Sequence, residues 1–516
     1  MTNDQRLTTS EHLEDAAHYP GGHASGVVFP RTAEEVAAIL RGATAVLPIG
    51  AQSSLTGGAT PMGELILATS RMTRVLDVSA THVTVEAGVT VAAIQEQLAA
   101  AGAWFPPAPT FTGACAGGIV STNAAGAATF KYGSTRQWVD ALVVVLADGT
   151  ILHIRRGEHL ARDGRFRLDT RTGPVAIPVP SYVMPAVAKQ SAGYYAAPGM
   201  DLVDLFIGAE GTLGVVTEVT FRILSPAPQS SLALIPCATG AAALEMVRLL
   251  RDQSRETWRT SDPAGIDAAA IENMDARSIA ILREDGADLR NHVTLPAGTA
   301  VALLVQLELP PETTAAASYD QIERALSGDA PDTALVRFCR LLDTRGLLDV
   351  TELALPGDRR RAAQLVAIRE AVPAGVNQRV GTAKRDIDAR IEKTAADMVV
   401  PVERFAEMLD VYRRGFESRG LDYAVWGHIS DGNVHPNVIP RSYDDVRRGK
   451  DAILEFGREV ARLGGSPLAE HGVGRNPVKQ TLLRQLYGDT GIEQMRAVKR
   501  ALDPDWKLAP GVIFGQ

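Results

Sequence analysis

The chain has 516 residues, 46% of them apolar and 22% charged, with a formal net charge of −8. That length exceeds one hydrophobic core and calls for two or three domains, and the acidic balance excludes a nucleic-acid-binding role. The three cysteines, Cys115, Cys237 and Cys339, are scattered without a CxxC spacing. This excludes a disulfide framework or a thiolate zinc site and points to a reducing compartment.

The opening stretch MTNDQRLTTSEHLEDAAHYP is polar and acidic, unlike a secretory or transit peptide. No uncharged apolar run approaches the roughly 20 residues of a membrane helix. A cytoplasmic location follows, with peripheral attachment at the inner face of the membrane left open. PRTAEEVAAILRGA carries a capping box, Thr32 with Glu35, and apolar residues at helical spacing. TAVLPIG reads as a strand running into GAQSSLTGGATP, ELILATS as a second strand, and RVLDVSATHVTVEAGVT as a hairpin. TVAAIQEQLAAAG is a helix that Gly102 stops, and VDALVVVLADGTILHI is two strands joined at Asp148-Gly149. The block DLFIGAEGTLGVVTEVTFRIL ends near Leu224, and PAPQSS at 226–231 marks a domain boundary. Beyond it, strand-like runs (VALLVQLEL, LLDVTELAL) alternate with alanine-rich helical runs, predicting an α+β domain with an antiparallel sheet. The tail from VKQTLLRQL to KLAP reads as helical, broken around Gly488 and Gly491.

Three glycine-bearing loops fall before the boundary: GAQSSLTGG, TGACAGGIVSTNAAG and GAEGTLG. Glycine permits positive φ and lets backbone N–H groups approach a phosphate, and Ser53, Ser54, Thr56, Thr112 and Thr122 offer hydroxyl donors. None of the loops is a Rossmann or Walker signature. Each alone reads as a tight connection; three in one α/β domain favour a large dinucleotide.

HISDGNVHPN at 428–437 places two histidines around an Asp431-Gly432 pair. A two-residue turn there sets His428 opposite His435, with Asn437 on the same face, and predicts that this hairpin closes the sheet. Such a cluster suits a metal or an anionic substrate. Asp431 and Glu470 are among the candidate third ligands, although Asp431 is better placed to hold the turn.

The order PIGAQSSLTGGATP, GGIVSTNAAGAATFKYG, IGAEGTLGVVTEV resembles FAD-binding domains of the vanillyl-alcohol oxidase type. HISDGNVHPN followed by AEHGVGR resembles, within that superfamily, the D-lactate, glycolate and D-2-hydroxyglutarate dehydrogenase branch. The resemblance implies an α+β fold. A two-lobed FAD domain spans 1–225, an α+β cap with an antiparallel sheet 226–465, and a helical C-terminal segment returning to the flavin 466–516. It assigns FAD to Pro48, Gly50, Ala51, Gln52, Ser53, Ser54, Thr56, Gly57 and Gly58 in the first loop, and to Thr112, Gly113, Gly117, Gly118, Thr122, Asn123 and Gly126 in the second. Glu210, Gly211, Gly214 and Val216 complete the set. It makes His428, His435 and Glu470 ligands of a divalent metal, zinc by default with iron or manganese as alternatives.

The implied reaction oxidises a D-2-hydroxy acid, D-lactate first, to the 2-oxo acid. The hydride goes to flavin N5, His471 takes the hydroxyl proton, Arg369 holds the carboxylate, and Asn437 touches substrate. Two polar positions of hydroxyglutarate-type relatives are Pro373 and Ala395 here, with Lys393 two residues from the latter. This favours a small monocarboxylic acid, D-lactate or glycolate, over D-2-hydroxyglutarate. Ala509 likewise stands where many relatives carry asparagine. A rival from another class is a flavin-containing transferase like alkyl-dihydroxyacetone-phosphate synthase, from which the His428, His435 and Glu470 set is not expected; a metal hydrolase is a third. The electron acceptor is left open among a quinone, a cytochrome, an electron-transfer flavoprotein and oxygen, and a homodimer is the oligomer considered.

Overall fold

The structure, a computed structural model, describes residues 10–106 and 109–515. Residues 1–9 of the opening stretch, read above as lacking leader character, lie outside the described residues. The chain divides into two compact units, Met1–Gly126 with Gly133–Ser225 and Gly464–Gln516, and Ala127–Tyr132 with Pro226–Leu463. Both are mixtures of helix and sheet, and the fold class is α+β. Among the described residues no helix is long and apolar enough to cross a membrane.

The first unit has two lobes. In one, three parallel strands, β1 (Gly26–Val28), β2 (Val46–Ile49) and β3 (Leu65–Ala68), lie in the order β1-β3-β2. The helix Ala33–Gly42 begins where its capping residues place it. Thr32 accepts from the Glu35 N–H, while the Glu35 carboxylate turns back to the Arg31 N–H. Its Val36, Ala37 and Leu40 pack with Val46, Leu67 and Leu508. The other lobe is a five-stranded antiparallel sheet of β4 (Val75–Val78), β5 (His82–Glu86), β6 (Val139–Val145), β7 (Ile151–Arg155) and β10 (Val215–Arg222), ordered β4-β5-β10-β6-β7. The β6–β7 turn uses Gly149 at φ +84° and the Asp148 carboxylate accepting from the Thr150 N–H. A further hairpin, β8 (Arg165–Thr170) with β9 (Gly173–Pro178), fills the stretch between β7 and β10.

The C-terminal segment is stitched into this first unit. Its helix Pro477–Leu502 bends at Gly488 (φ 68°, ψ 177°), near the expected break. The buried Lys499 ammonium donates to the carbonyls of Thr212 and Leu508 and pairs with Asp503 at 2.5 Å. The Val46 N–H donates to the Lys507 carbonyl and the Ala509 N–H to the Val46 carbonyl, so the chain end runs beside β2. Ala509 is buried at φ +42°. Arg475 pairs with the buried Glu64 at 2.6 Å, and the Arg475 N–H donates to the Thr56 carbonyl.

The second unit is built on one antiparallel sheet in the order β14-β11-β13-β12-β17-β18-β15, with β16 also paired to β18. Its strands are β11 (Gln229–Cys237), β12 (Ala268–Met274), β13 (Val301–Leu309), β14 (Glu352–Ala354), β15 (Thr394–Ala395), β16 (Met398–Val399), β17 (Tyr423–His428) and β18 (Asn433–Val438). Of LLDVTELAL only β14 is strand, because Leu348–Val350 turns as a 3₁₀ segment. The 28-residue helix Arg359–Asp386 buries Leu365, Ile368, Val372 and Val376 in one core with Leu234, Met274 and Trp426.

The histidine hairpin differs from its expected register. Trp426, not His428, is the cross-strand partner of His435. The connection is longer than two residues: β17 runs on through Gly427 (φ +139°) to His428, Ile429–Asp431 form a 3₁₀ turn, and Gly432 (φ +82°) brings the chain back. Side chains pay for the longer loop, since Asp431 accepts from the Asn433 N–H, Ser430 Oγ accepts from the Ile271 N–H, and the Asn433 amide donates to Asp397. Nor does the hairpin close the sheet, because β15 and β16 pair beyond β18.

Gly474 (φ +59°) would place a Cβ 2.2 Å from the Thr56 hydroxyl oxygen and 2.3 Å from its carbonyl oxygen. Gly474→Ala is expected to destabilise the first unit by about 1–3 kcal/mol or more, combining a strained φ with a backbone clash. A melting temperature equal to wild type would refute this packing.

Candidate active site

In the second unit the two histidines converge despite the altered register. Their rings lie 5.5 Å apart, perpendicular to each other. His428 is the Cα partner of Glu272 on the neighbouring strand β12, and its Nδ1 lies 2.5 Å from Glu272 Oε1. His435 Nδ1 lies 3.3 Å from Asp397 Oδ1. Each imidazole therefore turns Nδ1 to a buried carboxylate. That arrangement fixes the ring and presents Nε2 as the basic nitrogen, the form in which histidine binds a metal. The donor chemistry fits a divalent ion. Glu272 and Asp397 were missed by sequence reasoning; the nearest signal was that a metal-binding histidine needs a carboxylate behind it.

Glu272 also holds Arg369, whose Nε donates to Oε2 at 3.0 Å. Burial works to raise the Glu272 carboxyl, but His428 and Arg369 together outweigh it and hold the group well below the usual carboxylate range. Arg369 is thus a largely buried, paired arginine at 15% side-chain exposure, not a solvated helix residue. Pro373 sits inside the same helix and has no N–H to offer the Arg369 carbonyl four residues earlier. Asn437, the Cα partner of Ala395, donates to the His435 carbonyl, while its buried Oδ1 accepts from no group among the described residues. An orphaned buried acceptor is costly unless a ligand supplies the donor.

In the first unit Glu470 and His471 lie on a turn of unusual backbone. His471 has φ +69° and is followed by Gly472 at +75° and Gly474 at +59°. A histidine in the left-handed region is a local strain of the kind that accumulates at reacting sites. Glu470 is buried and its Oε1 meets the Nζ of the fully buried Lys189 at 2.6 Å; Lys189 is another partner that sequence reasoning missed. His471 Nε2 stands 3.7 Å from Glu470 Oε2, and the Lys479 ammonium donates to the carbonyls of Glu470 and Gly472.

The three glycine loops meet in this unit. Gly50 lies against Cys115, Gly211 against Pro48, and the N–H groups of Gly208 and Glu210 donate to the carbonyls of Val120 and Ser121. Most of the expected cofactor side chains are committed inward. Gln52 bonds His12 and the Ala59 carbonyl, Ser54 bonds Thr56, and Thr122 donates to the Gly118 carbonyl. Asn123 is bound by Ser134, Arg136 and Gln190. Glu210 accepts from the N–H groups of Val473 and Gly474 at 2.7 and 2.8 Å. What the loops can offer a cofactor is therefore chiefly backbone, with the hydroxyls of Ser53 and Thr112. Several glycines are also tightly packed: a Cβ at Gly57 would meet Tyr19 at 2.6 Å, at Gly117 Ala87 at 2.8 Å and at Gly214 Val144 at 2.4 Å, whereas at Gly113 it would meet only the ring of the exposed Phe111. At Gly118 it would meet nothing within 4 Å. Ala51 is exposed at the mouth of the first loop, Val216 is buried on β10, and Gly58 lies near Gly474. Gly126 ends the stretch of the second loop that belongs to this unit. Converging glycine loops and an open Gly118 fit a dinucleotide.

Residues 250–513 match the family model described as FAD linked oxidases, C-terminal domain, and residues 24–155 match one described as FAD binding domain. The chain is 28% identical over 500 residues to a D-2-hydroxyglutarate dehydrogenase of Xanthomonas citri, covering 95% of this chain and 89% of that protein. It is 28% identical over 499 residues to a D-lactate dehydrogenase of Archaeoglobus fulgidus (94% and 90% covered). A glycolate oxidase subunit of Bacillus subtilis is 28% identical over 503 residues (95% and 89% covered). The fold is shared with a 4-ethylphenol oxidase from Gulosibacter chungangensis, at a TM-score of 0.63 and 17% identity over 99% of this chain and 93% of that one. It is also shared with an alkyldihydroxyacetonephosphate synthase, at a TM-score of 0.57 and 15% identity over 99% and 82%.

The Glu210 contact has a pH signature. Burial pushes its carboxyl up to about 7, against the pull of the Val473 and Gly474 N–H groups and Lys479. The folded state then holds the proton more tightly than the unfolded chain, whose carboxyl titrates at about 4.3. The contribution to stability is full below the unfolded value and is lost as pH rises through about 7. Thermal melts of wild type and Glu210→Gln across the acid and neutral range should diverge with pH, the wild type losing more stability between about 4.5 and about 7 and no more above it. A difference constant across that range would show that Glu210 does not titrate there.

Proposed function

The chain belongs to the family of FAD-linked oxidases, and from that premise we propose that it dehydrogenates a small D-2-hydroxy acid, D-lactate first, to the 2-oxo acid. Glycolate is the nearest alternative. The observation that carries this reading is the pair of carboxylate-backed histidines, His428 and His435, on a sheet face with the orphaned Asn437 acceptor and the glutamate-held Arg369. In this reading His428 and His435 hold a divalent ion, zinc by default, with Glu470 as third ligand; the matching motifs HISDGNVHPN and AEHGVGR support it. When bound, FAD supplies the two-electron acceptor and the divalent ion a Lewis acid.

The protein's own groups do the rest. Arg369 binds the substrate carboxylate with a guanidinium that Glu272 keeps oriented. Asn437 Oδ1 accepts a hydrogen bond from the substrate and so gains the donor it lacks. His471 takes the hydroxyl proton. The strained backbone at His471 and the flanking glycines support that role by holding the imidazole in one position. Electrons leave to a separate acceptor, a quinone, cytochrome or electron-transfer flavoprotein. The three buried free cysteines accord with a cytoplasmic setting.

The yellow protein should bleach anaerobically with D-lactate and not with L-lactate; bleaching by neither D-lactate nor glycolate would sink the proposal. His471→Asn should slow that bleaching on the order of 10²–10⁴-fold while zinc content and reoxidation by an artificial acceptor stay near wild type. Equal zinc loss in His471→Asn and Glu470→Gln would make His471 a ligand instead. For the flavin, Gly118→Val is the discriminating variant, because the position has room for a side chain in the protein alone. It should purify folded and largely colourless, and full flavin occupancy would show that the second loop does not face the cofactor.

A further inference from the structure

One buried carboxylate in the second unit serves two groups to which the proposed function gives different tasks. Glu272 lies on β12, at 8% side-chain exposure, and points one oxygen at each. Its Oε1 is 2.5 Å from His428 Nδ1 and its Oε2 is 3.0 Å from Arg369 Nε. The placement is set by the fold. Glu272 and His428 are Cα partners across β12 and β17, and Arg369 follows Ile368, which is buried in the core beneath the helix Arg359–Asp386.

We propose that Glu272 is a positioning residue that couples divalent-metal binding at His428 to carboxylate binding at Arg369; this rests on the proposed function. The argument is one of donors and acceptors. Accepting from Nδ1–H commits His428 to the tautomer whose Nε2 carries the lone pair, and such outer partners typically contribute 10–100-fold to metal affinity. Accepting from Arg369 Nε fixes the guanidinium plane. A carboxylate accepts through both oxygens at once. An amide of the same shape has a single acceptor oxygen and must turn N–H against one of the two donors. No isosteric neutral residue can keep both contacts, so a change here reaches the metal site and the substrate site together. The pairing also explains how an arginine can be held in this buried position before any substrate arrives: the carboxylate supplies the opposing charge that a buried guanidinium requires.

The test uses the full-length flavoprotein, stripped of metal by chelator. Zinc affinity is measured by titration calorimetry, and KM for D-lactate is measured at saturating zinc, in wild type, Glu272→Gln and Glu272→Asp. Glu272→Gln should bind zinc about 10–100-fold more weakly and show a KM for D-lactate raised by about tenfold or more, since the oriented charge-assisted contact is lost. Glu272→Asp, which keeps the charge, should recover part of both. A folded, yellow Glu272→Gln whose zinc affinity and KM both lie within twofold of wild type overturns the proposal, as does a change in only one of the two. A lowered melting temperature without either change would assign Glu272 a purely structural role and overturn it too. Where Glu272→Gln does not fold, ¹⁵N-histidine spectra of the wild type decide: His428 must carry its proton on Nδ1 in the zinc-loaded protein, and the opposite tautomer refutes the coupling. Wild type that takes up no zinc would instead overturn the metal reading of the proposed function, and the KM comparison would still judge the Arg369 contact.

Discussion

The carboxylate of Glu210 is the tie on which the first unit's chemistry depends. It belongs to the third glycine loop, yet both its oxygens are taken by backbone N–H groups of the C-terminal segment, Val473 and Gly474. A buried carboxylate with two N–H donors has little freedom, so the segment must approach closely. Closeness in turn dictates residue type: a Cβ at Gly472 would fall 2.6 Å from Glu210 Cδ, and one at Gly474 would strike Thr56. The glycines of AEHGVGR are thus explained by packing against Glu210 and the first loop. Glu470 and His471, immediately before them, inherit a fixed backbone path. Lys189 then holds Glu470 from the other side.

The same device recurs with different partners. Arg136 and Arg156 share Asp204, Lys499 meets Asp503, Arg475 meets Glu64, and Glu272 is shared by Arg369 and His428. Burial of such pairs costs desolvation energy that the ion pair only partly returns. They are poor devices for stability and good ones for fixing position, because each partner tolerates few geometries. An oxidoreductase that must hold a carboxylate, a hydroxyl proton and a hydride acceptor in register benefits from the second property. The positive-φ histidine at 471 belongs to the same economy of strain.

Local patterns in the sequence were sufficient for the elements and for the two C-terminal motifs. Alternation marked β4 and β5, apolar strand-like runs marked β6, β7 and β13, the Asp-Gly pair marked the β6–β7 turn, and Thr32 with Glu35 marked a helix start. Each of these signals lies within a few residues of what it specifies. The parts that were not legible depend on residues far apart. Glu272 is 156 positions from His428, and nothing local in AAIENMD announces a partner. The histidine hairpin misled because an Asp-Gly pair fits a two-residue turn equally well; the longer loop wins through Ser430, Asp431 and Asn433, whose side-chain bonds to β12 and to Asp397 exist only once the sheet is formed. The glycine loops hide a second requirement. Gly57 looks like a phosphate-binding glycine, and the ring of Tyr19 already accounts for it.

The departures at Pro373 and Ala395 gain meaning from their places in the second unit. Ala395 on β15 is the Cα partner of Asn437, so the residue at this position stands beside a residue whose buried Oδ1 accepts from no group among the described residues. A long cation there would place charge next to that acceptor; a methyl group leaves it an uncharged site that suits a hydroxyl or a water. Pro373 stands one helical turn after Arg369 and removes both a side-chain hydroxyl and a backbone N–H from that turn. Lys393 stands two residues before Ala395, not at that position. On the proposed function, a substrate with a second carboxylate would find no polar side chain at either of these two positions. The first carboxylate keeps Arg369 and, through Glu272, its fixed orientation. On the proposed function, that loss of contacts disfavours the larger acid and leaves Arg369, Asn437 and His471 to the smaller one.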